Sequence, residues 1–243
     1  MKYAEKGKKK MKAFLLAAGL GTRLRPLTNT VPKCLVPVQG KPLLDWWLEL
    51  LKKNGITEVV INTHYLYEQV RMYIQEYNKR DTGLQVIESY ESELLGSGGT
   101  VRDNYDFIKD EEAFLICYED NLTNINLESL MNYHKEKNGL LTMALFRAAH
   151  PEQCGIAQLD EESRIVSFIE KPEKPKSNLA NAGIYVARPE IVEYFPDEKL
   201  IDFGKDVLPR LVGKMYGWET KDYLIDIGTP ENYKKAQLEW RNV

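Results

Sequence analysis

The residues best suited to chemistry form one stretch near the start of the chain, Phe14-Leu15-Leu16-Ala17-Ala18-Gly19-Leu20-Gly21-Thr22-Arg23-Leu24-Arg25-Pro26-Leu27-Thr28. A short apolar strand empties into a loop whose glycines let backbone N–H groups approach a ligand closely, and whose arginines add positive charge beside them. That combination suits a polyphosphate. Two common phosphate loops fit poorly. In the dinucleotide fingerprint the third small residue would fall on Leu24, with no acidic residue near the expected distance downstream. A Walker A loop needs a Gly-Lys-Ser/Thr ending, which is absent. Further along, Gly96-Ser97-Gly98-Gly99-Thr100 is a second glycine-rich segment, and Glu119-Asp120-Asn121 follows an apolar run at 113–117. A carboxylate at the end of a strand is either a surface turn residue or a metal ligand.

The elements that must position these residues alternate. A helix is expected to open at Lys41-Pro42, run through Leu43, Leu44, Trp46, Trp47, Leu50 and Leu51, and stop at Asn54-Gly55. Its tryptophans read as core. A strand at 58–62, a helix at 66–77 and a strand at 84–87 follow, then the glycine segment, a short helix at 101–105 and a strand at 113–117. This βαβ rhythm implies a largely parallel sheet covered by helices, with ligands beyond the carboxyl ends of its strands. The second half is richer in strands, at 140–147, 156–159, 164–169, 182–187, 215–219 and 223–227. Helices are expected at 127–137, 189–194 and 203–211, the last threatened by Pro209, and a final helix begins at Thr229-Pro230-Glu231 with a threonine N-cap and proline at N1.

Composition bounds the setting. The 243 residues suffice for one large core or two small ones. With 33 Lys and Arg against 36 Asp and Glu, the net charge of -3 argues against a general nucleic-acid binder, so any anion site is local. Cys34, Cys117 and Cys154 show no Cys-x-x-Cys spacing and the three histidines no zinc pattern, which fits a reducing cytoplasm. Residues 1–11 read as a basic tail. The apolar run at 13–18 is too short for a signal peptide or membrane span, so no membrane partner is expected.

Five segments together carry a resemblance: Gly19-Leu20-Gly21-Thr22-Arg23 with Pro26 and Pro32-Lys33; Gly96-Ser97-Gly98-Gly99; Glu119-Asp120-Asn121; Glu170-Lys171-Pro172 with Asn181-Ala182-Gly183-Ile184-Tyr185; and Asp226-Ile227-Gly228-Thr229-Pro230. In this order, over most of the chain, they resemble the sugar-1-phosphate nucleotidyltransferases. The resemblance implies an α/β, Rossmann-like three-layer fold with a mainly parallel mixed sheet and a smaller β-rich sugar-binding part. It implies one domain at 12–243: a nucleotide-binding part at about 12–121, a sugar-binding part at about 122–228 and a C-terminal helix at about 229–241.

It also implies roles. A nucleoside triphosphate and a sugar 1-phosphate would react to give a nucleotide sugar and pyrophosphate, with magnesium (Mg2+) held by Asp120 and Asp226. Ala17, Ala18, Gly19, Gly21 and Thr22 would hold the nucleotide, and Glu93, Gly96 and Ser97 would border its base. Arg23 would neutralise pyrophosphate, Lys33 would sit at the α-phosphate and Lys171 at the sugar phosphate. Gly155, Glu170 and Asn181 would contact the sugar. A homo-oligomer is compatible with the family.

The chain departs from the family pattern in places. Glu119 stands where the family commonly has glycine, and Cys154 where an aromatic is frequent. Gly-Ser-Gly-Gly replaces the commoner Gly-Thr-Ala-Gly and, with Asn62-Thr63-His64-Tyr65-Leu66, is closer to mannose- or heptose-1-phosphate guanylyltransferases. Thymidylyl or uridylyl transfer to a glucose- or N-acetylmuramyl-type 1-phosphate and a non-catalytic nucleotide-sugar-binding homologue stay open as alternatives, while the Glu170-Lys171-Pro172 and Asn181-Ala182-Gly183 segments count against a phosphocholine cytidylyltransferase, which shares the first loop.

Overall fold

The structure, a computed structural model, describes residues 11–240. The expected basic tail lies outside the described residues except for Met11, which opens the first strand. In chain order the elements are β1 (Met11–Leu16), β2 (Pro37–Val38), β3 (Lys41–Pro42), α1 (Leu43–Lys53), β4 (Ile56–Thr63), α2 (Tyr67–Asn78), β5 (Gln85–Tyr90), α3 (Gly96–Asp103), α4 (Tyr105–Ile108) and β6 (Phe114–Tyr118). Then come β7 (Asn121–Thr123), α5 (Leu127–Lys137), β8 (Leu141–Arg147), β9 (Gly155–Leu159), β10 (Ile165–Glu170), β11 (Leu179–Ala187), β12 (Met215–Glu219), β13 (Leu224–Asp226) and α6 (Pro230–Glu239).

One mixed sheet runs in the order β10-β9-β11-β6-β1-β4-β5, with β8 paired to β11 and β12 paired to β8. The β6, β1, β4 and β5 pairings are parallel, as the alternating rhythm requires. The strand-rich half is continuous with them, because β11 pairs antiparallel with β6. Successive side chains of a strand face opposite ways. Accordingly Ala13, Leu15, Val59, Ile61, Leu115 and Cys117 join one core with Trp47, Leu48 and Leu51 of α1. Phe14, Val60, Phe114 and Ile116 join the other, with Ile201, Phe203 and Leu208.

Three local expectations are corrected. Lys41-Pro42 leads into the helix with Pro42 as its N-cap, not as its first residue; Gln39 and Gly40 both adopt positive φ in a two-residue turn, and Lys41-Pro42 also pairs back on β2. The Gly96 segment is the first turn of α3, a helix expected only from residue 101. Residues 189–194 are helical as expected but wound as a 3-10 helix, Pro189–Tyr194, and 203–211 is split into a π turn at Phe203–Val207 and a 3-10 turn at Leu208–Leu211, with Pro209 near its start.

Candidate active site

The carboxyl ends of β1 and β6 lie side by side, since Leu16 is paired with Tyr118. Just beyond β6, Asn121 of β7 pairs with Asp226 of β13 in a two-stranded ribbon. That pairing brings together two aspartates 106 positions apart in sequence. Lys33 completes the group from a 3-10 turn at Lys33–Leu35: its Nζ lies 2.9 Å from Asp120 Oδ2 and 3.5 Å from Asp226 Oδ1. Arg23 reaches Asp226 Oδ2 at 3.4 Å from the opposite side, with its guanidinium largely in solvent. Gly228 marks the corner where these groups meet. A Cβ there would stand 2.7 Å from Asp226 Oδ1, 2.8 Å from an Arg23 terminal nitrogen and 3.1 Å from Lys33 Nζ.

Lys33 is almost fully buried. Burial opposes its charge, but Asp120, Glu119 and Asp226 outweigh that cost and hold the ammonium above the ordinary lysine range. Glu119, the buried residue preceding Asp120, is pushed up to about 8, chiefly by burial and further by Asp120 and Asp226, with Lys33 opposing.

The glycine loop is held open by its own chemistry. Gly21 has φ 62, and a Cβ on it would stand 2.9 Å from Thr28 Cγ2, whose hydroxyl donates to the Gly21 carbonyl at 2.6 Å. Gly19 faces open space. The N–H groups of Ala17 and Ala18 both donate to Asn62 Oδ1, at 2.6 and 3.2 Å. Asn62 in turn donates to Glu91 Oε1 and Thr100 Oγ1, each at 2.9 Å, and Thr100 donates to Glu91 at 2.5 Å. This buried network, which sequence reasoning missed, ties the phosphate loop to α3. Its one signal was a polar residue, Asn62, ending a run of three apolar ones, Val59, Val60 and Ile61.

The residues expected around the base also have partners within the fold. Gly98 and Gly99 N–H groups donate to the Ile201 carbonyl at 2.8 and 3.3 Å, and a Cβ on Gly98 would stand 2.6 Å from Ile201 Cγ2. A Cβ on Gly96 would stand 2.4 Å from the Ile201 carbonyl oxygen. Those glycines therefore admit a packed strap of chain. Ser97 Oγ accepts from the Phe203 N–H at 2.8 Å and from the Tyr118 hydroxyl at 3.3 Å. Glu93 lies on the surface, paired with Lys199.

Of the residues expected at the sugar, Gly155, Glu170 and Lys171 lie together. Gly155 is paired with Glu170 across β9 and β10, and a Cβ on it would stand 2.5 Å from Glu170 Oε2, so glycine is what leaves that carboxyl its room. Burial raises the Glu170 carboxyl, with Lys171 opposing. Lys171 adopts φ 49 and donates its N–H to the Cys154 carbonyl at 3.0 Å. Asn181 accepts from the Gly183 N–H at 2.9 Å and donates to the Tyr185 hydroxyl at 2.6 Å, at a break in the β11 register. That break delivers the Ala182 carbonyl to Asn121, next to Asp120, at 3.1 Å. Cys154 is raised by burial first, then by Glu170 and Asp226, so it lies within electrostatic reach of both sides.

A buried lysine between two carboxylates, beside an arginine and an open glycine loop at the ends of parallel strands, defines a phosphate-handling α/β protein. Residues 12–242 match the family model for nucleotidyl transferase, and the chain belongs to that family. It is 33% identical to D-glycero-alpha-D-manno-heptose 1-phosphate guanylyltransferase of Aneurinibacillus thermoaerophilus, over 94% of this chain and 98% of that protein. It is 31% identical to UTP--glucose-1-phosphate uridylyltransferase of Synechocystis sp. and to mannose-1-phosphate guanylyltransferase of Mycobacterium tuberculosis, over 93% of this chain. The match spans 62% and 64% of those two longer proteins. Among solved structures, HddC from Yersinia pseudotuberculosis superposes with TM-score 0.79 at 26% identity, covering 95% of this chain and 99% of that one, and has also been solved with GMP-PN. UDP-glucose pyrophosphorylase shares the fold, with TM-score 0.81 at 22% identity. No helix among the described residues is long and apolar enough to cross a membrane.

Proposed function

We propose that the chain is a magnesium-dependent sugar-1-phosphate nucleotidyltransferase that joins GTP to a mannose- or heptose-type 1-phosphate and releases pyrophosphate. The observation that carries the reaction is the Lys33 ammonium shared by Asp120 and Asp226 at the corner that Gly228 keeps open. The choice of GTP and of a heptose-like sugar is supported by the end-to-end match to the heptose 1-phosphate guanylyltransferase.

In this reading a phosphate oxygen of the sugar 1-phosphate attacks the α-phosphorus, the bond to the bridging oxygen of the β-phosphate breaks, and pyrophosphate leaves with the electron pair. Both reactants are anions, so positioning and charge stabilisation supply most of the barrier reduction. Arg23, exposed at the loop, meets the departing pyrophosphate. Lys33 faces the α-phosphate, and Lys171 takes the sugar phosphate. Glu170 and Asn181 hold sugar hydroxyls, Glu170 from the space that Gly155 leaves it. No side chain is needed as a base, because a phosphate dianion is already a nucleophile.

The donor set fits magnesium. Asp120 and Asp226 already converge on one cation, the Lys33 ammonium, and both are hard oxygen donors. Among the described residues no group of three or more His, Cys, Asp or Glu is arranged to hold a metal. The protein would thus supply these two carboxylates and leave the other positions to phosphate oxygens and water, as is usual for magnesium. Bound there, the ion would neutralise phosphate charge.

The test is pyrophosphate release across a matrix of nucleoside triphosphates and sugar 1-phosphates with magnesium. Highest kcat/KM with GTP and a mannose- or heptose-type 1-phosphate is expected. Preference for UTP or dTTP with a glucose-type 1-phosphate would overturn the substrate choice, and saturable binding without turnover in any combination would overturn the enzyme reading.

A further inference from the structure

The phosphate loop changes hand at Gly21. That residue adopts φ 62 and ψ 22, in the left-handed region, and Thr22–Leu24 follows as a right-handed 3-10 turn. A left-handed residue followed by a right-handed one turns successive N–H groups toward one point and makes an anion-binding concavity. Here the three groups are the N–H groups of Gly21, Thr22 and Arg23. Among the described residues none of them meets an acceptor, while the amides on either side do. Ala17 and Ala18 donate to Asn62, and Leu24 donates to the Gly21 carbonyl at 3.0 Å.

The aim of this concavity depends on the Gly21 carbonyl. In a trans peptide the C=O of one residue and the N–H of the next point in opposite directions, and the cis peptide of this loop is elsewhere, at Arg25-Pro26. Whatever holds the Gly21 oxygen therefore aims the Thr22 N–H. The Thr28 hydroxyl donates to that oxygen at 2.6 Å. Thr28 is fully buried and Thr22 exposed, so the carbonyl is drawn inward and the Thr22 N–H faces out of the protein. The bond from Leu24 holds the same oxygen less firmly, since a 3-10 hydrogen bond has poorer geometry. Glycine itself adds little restraint, because it lacks the Cβ that would confine its dihedrals. A tilt of this peptide costs binding quickly, as hydrogen bonds weaken steeply away from linearity.

We propose that Thr28 is a positioning residue for the triphosphate: its hydroxyl draws the Gly21 carbonyl inward and so keeps the N–H groups of Gly21, Thr22 and Arg23 aimed at the β- and γ-phosphates that leave as pyrophosphate. The inference rests on the reading above, in which the neighbouring Arg23 side chain meets the departing pyrophosphate. Asn62 and Thr28 then divide the loop between them. Asn62 ties its first two amides into the fold, and Thr28 turns the later ones outward to the ligand.

The test uses the full chain with Thr28→Val and Thr28→Ser, measuring steady-state kinetics with the best substrate pair, calorimetric binding of inorganic pyrophosphate with magnesium, and thermal unfolding. Valine is close to threonine in shape but puts a methyl where the hydroxyl stands 2.6 Å from the Gly21 oxygen, closer than carbon packs against oxygen, so the carbonyl must turn away. Serine keeps the hydroxyl. Thr28→Val is expected to weaken pyrophosphate binding and raise the KM for the nucleoside triphosphate about tenfold each, with the KM for the sugar 1-phosphate within about twofold of wild type. Thr28→Ser is expected to stay within about threefold of wild type in the first two quantities. Wild-type pyrophosphate affinity in folded Thr28→Val overturns the proposal, as do equal rises in both KM values, which mark a general loss of structure. A serine variant as impaired as the valine one also overturns it, by assigning the effect to the packing of the methyl. Should the valine variant not fold, Thr28→Ala, which removes the hydroxyl without crowding the carbonyl, decides. Pyrophosphate binding weaker by about threefold or more at unchanged KM for the sugar 1-phosphate supports the proposal, and unchanged binding overturns it. Wild-type protein that binds no pyrophosphate and turns over no substrate pair refutes the reading beneath the proposal, before any variant is compared.

Discussion

Replacing Gly228 with alanine separates the demands of the site from those of the fold. The added Cβ would stand 2.7 Å from Asp226 Oδ1, 2.8 Å from an Arg23 terminal nitrogen and 3.1 Å from Lys33 Nζ. The first two are closer than carbon packs against oxygen or nitrogen, so these groups must move by several tenths of an ångström. All three are the ends of side chains, two of them long and flexible, and the Gly228 φ is not in the left-handed range. Backbone strain is therefore absent, and alanine narrows the unfolded ensemble, a gain of about 0.4–1 kcal/mol that offsets part of the contact cost. Net stability is expected to change by no more than about 1 kcal/mol. Activity responds differently, because displacing catalytic groups by about 1 Å costs on the order of 100-fold. Urea unfolding and steady-state pyrophosphate release on the same preparation are the assays. The reasoning is refuted if Gly228→Ala retains more than a third of wild-type kcat/KM, or if it unfolds with a loss far above 1 kcal/mol.

Asp226→Ala removes one of the two carboxylates around Lys33 and should nearly abolish turnover while leaving a folded protein; wild-type activity would take Asp226 out of the proposed metal site. Gly98→Ala drives a Cβ to 2.6 Å from Ile201 Cγ2 in a fully buried contact, and should cost about 1–3 kcal/mol in denaturant unfolding. Unchanged stability would show that the strap at Ile201 yields freely. His134 is buried against Thr142, and burial, with Arg188, lowers its pKa from 6.5 to about 4. The unfolded chain then binds more protons than the native one between these values, so stability should fall by about 3 kcal/mol as pH drops from 6.5 toward 4. His134→Gln should flatten that part of the pH profile; an identical slope in the variant would assign it to other groups.

The phosphate loop was legible because its causes are local: apolar residues at 13–16 make a strand, and Gly21 supplies a left-handed turn. The parallel half followed from the same periodicity. What escaped is set by distant partners. The glycines at 96, 98 and 99 look like a ligand loop, yet their spacing is explained by Ile201, about a hundred residues later. The Asn62, Glu91 and Thr100 network joins three elements through buried hydrogen bonds that no period in the sequence announces. Lys41-Pro42 carried a helix-start signature, but the positive φ of Gln39 and Gly40 turned it into a strand first. In the site, Asp120, Asp226, Arg23 and Lys33 came from a shared motif order, and the structure brings all four together. Glu119 was visible as a departure from that order; its burial was not, because it depends on the packing of α1, whose Trp47 donates to the Glu119 carbonyl.

The most direct test of the central claim is to follow both ends of the triphosphate. Wild-type protein is incubated with magnesium, a mannose- or heptose-type 1-phosphate, and GTP labelled on the α-phosphate or on the γ-phosphate. The account predicts α-label in the nucleotide sugar and γ-label in pyrophosphate, in equal amounts, both dependent on the sugar 1-phosphate. Label appearing instead in free GDP and inorganic phosphate, or release that does not need the sugar 1-phosphate, would contradict it.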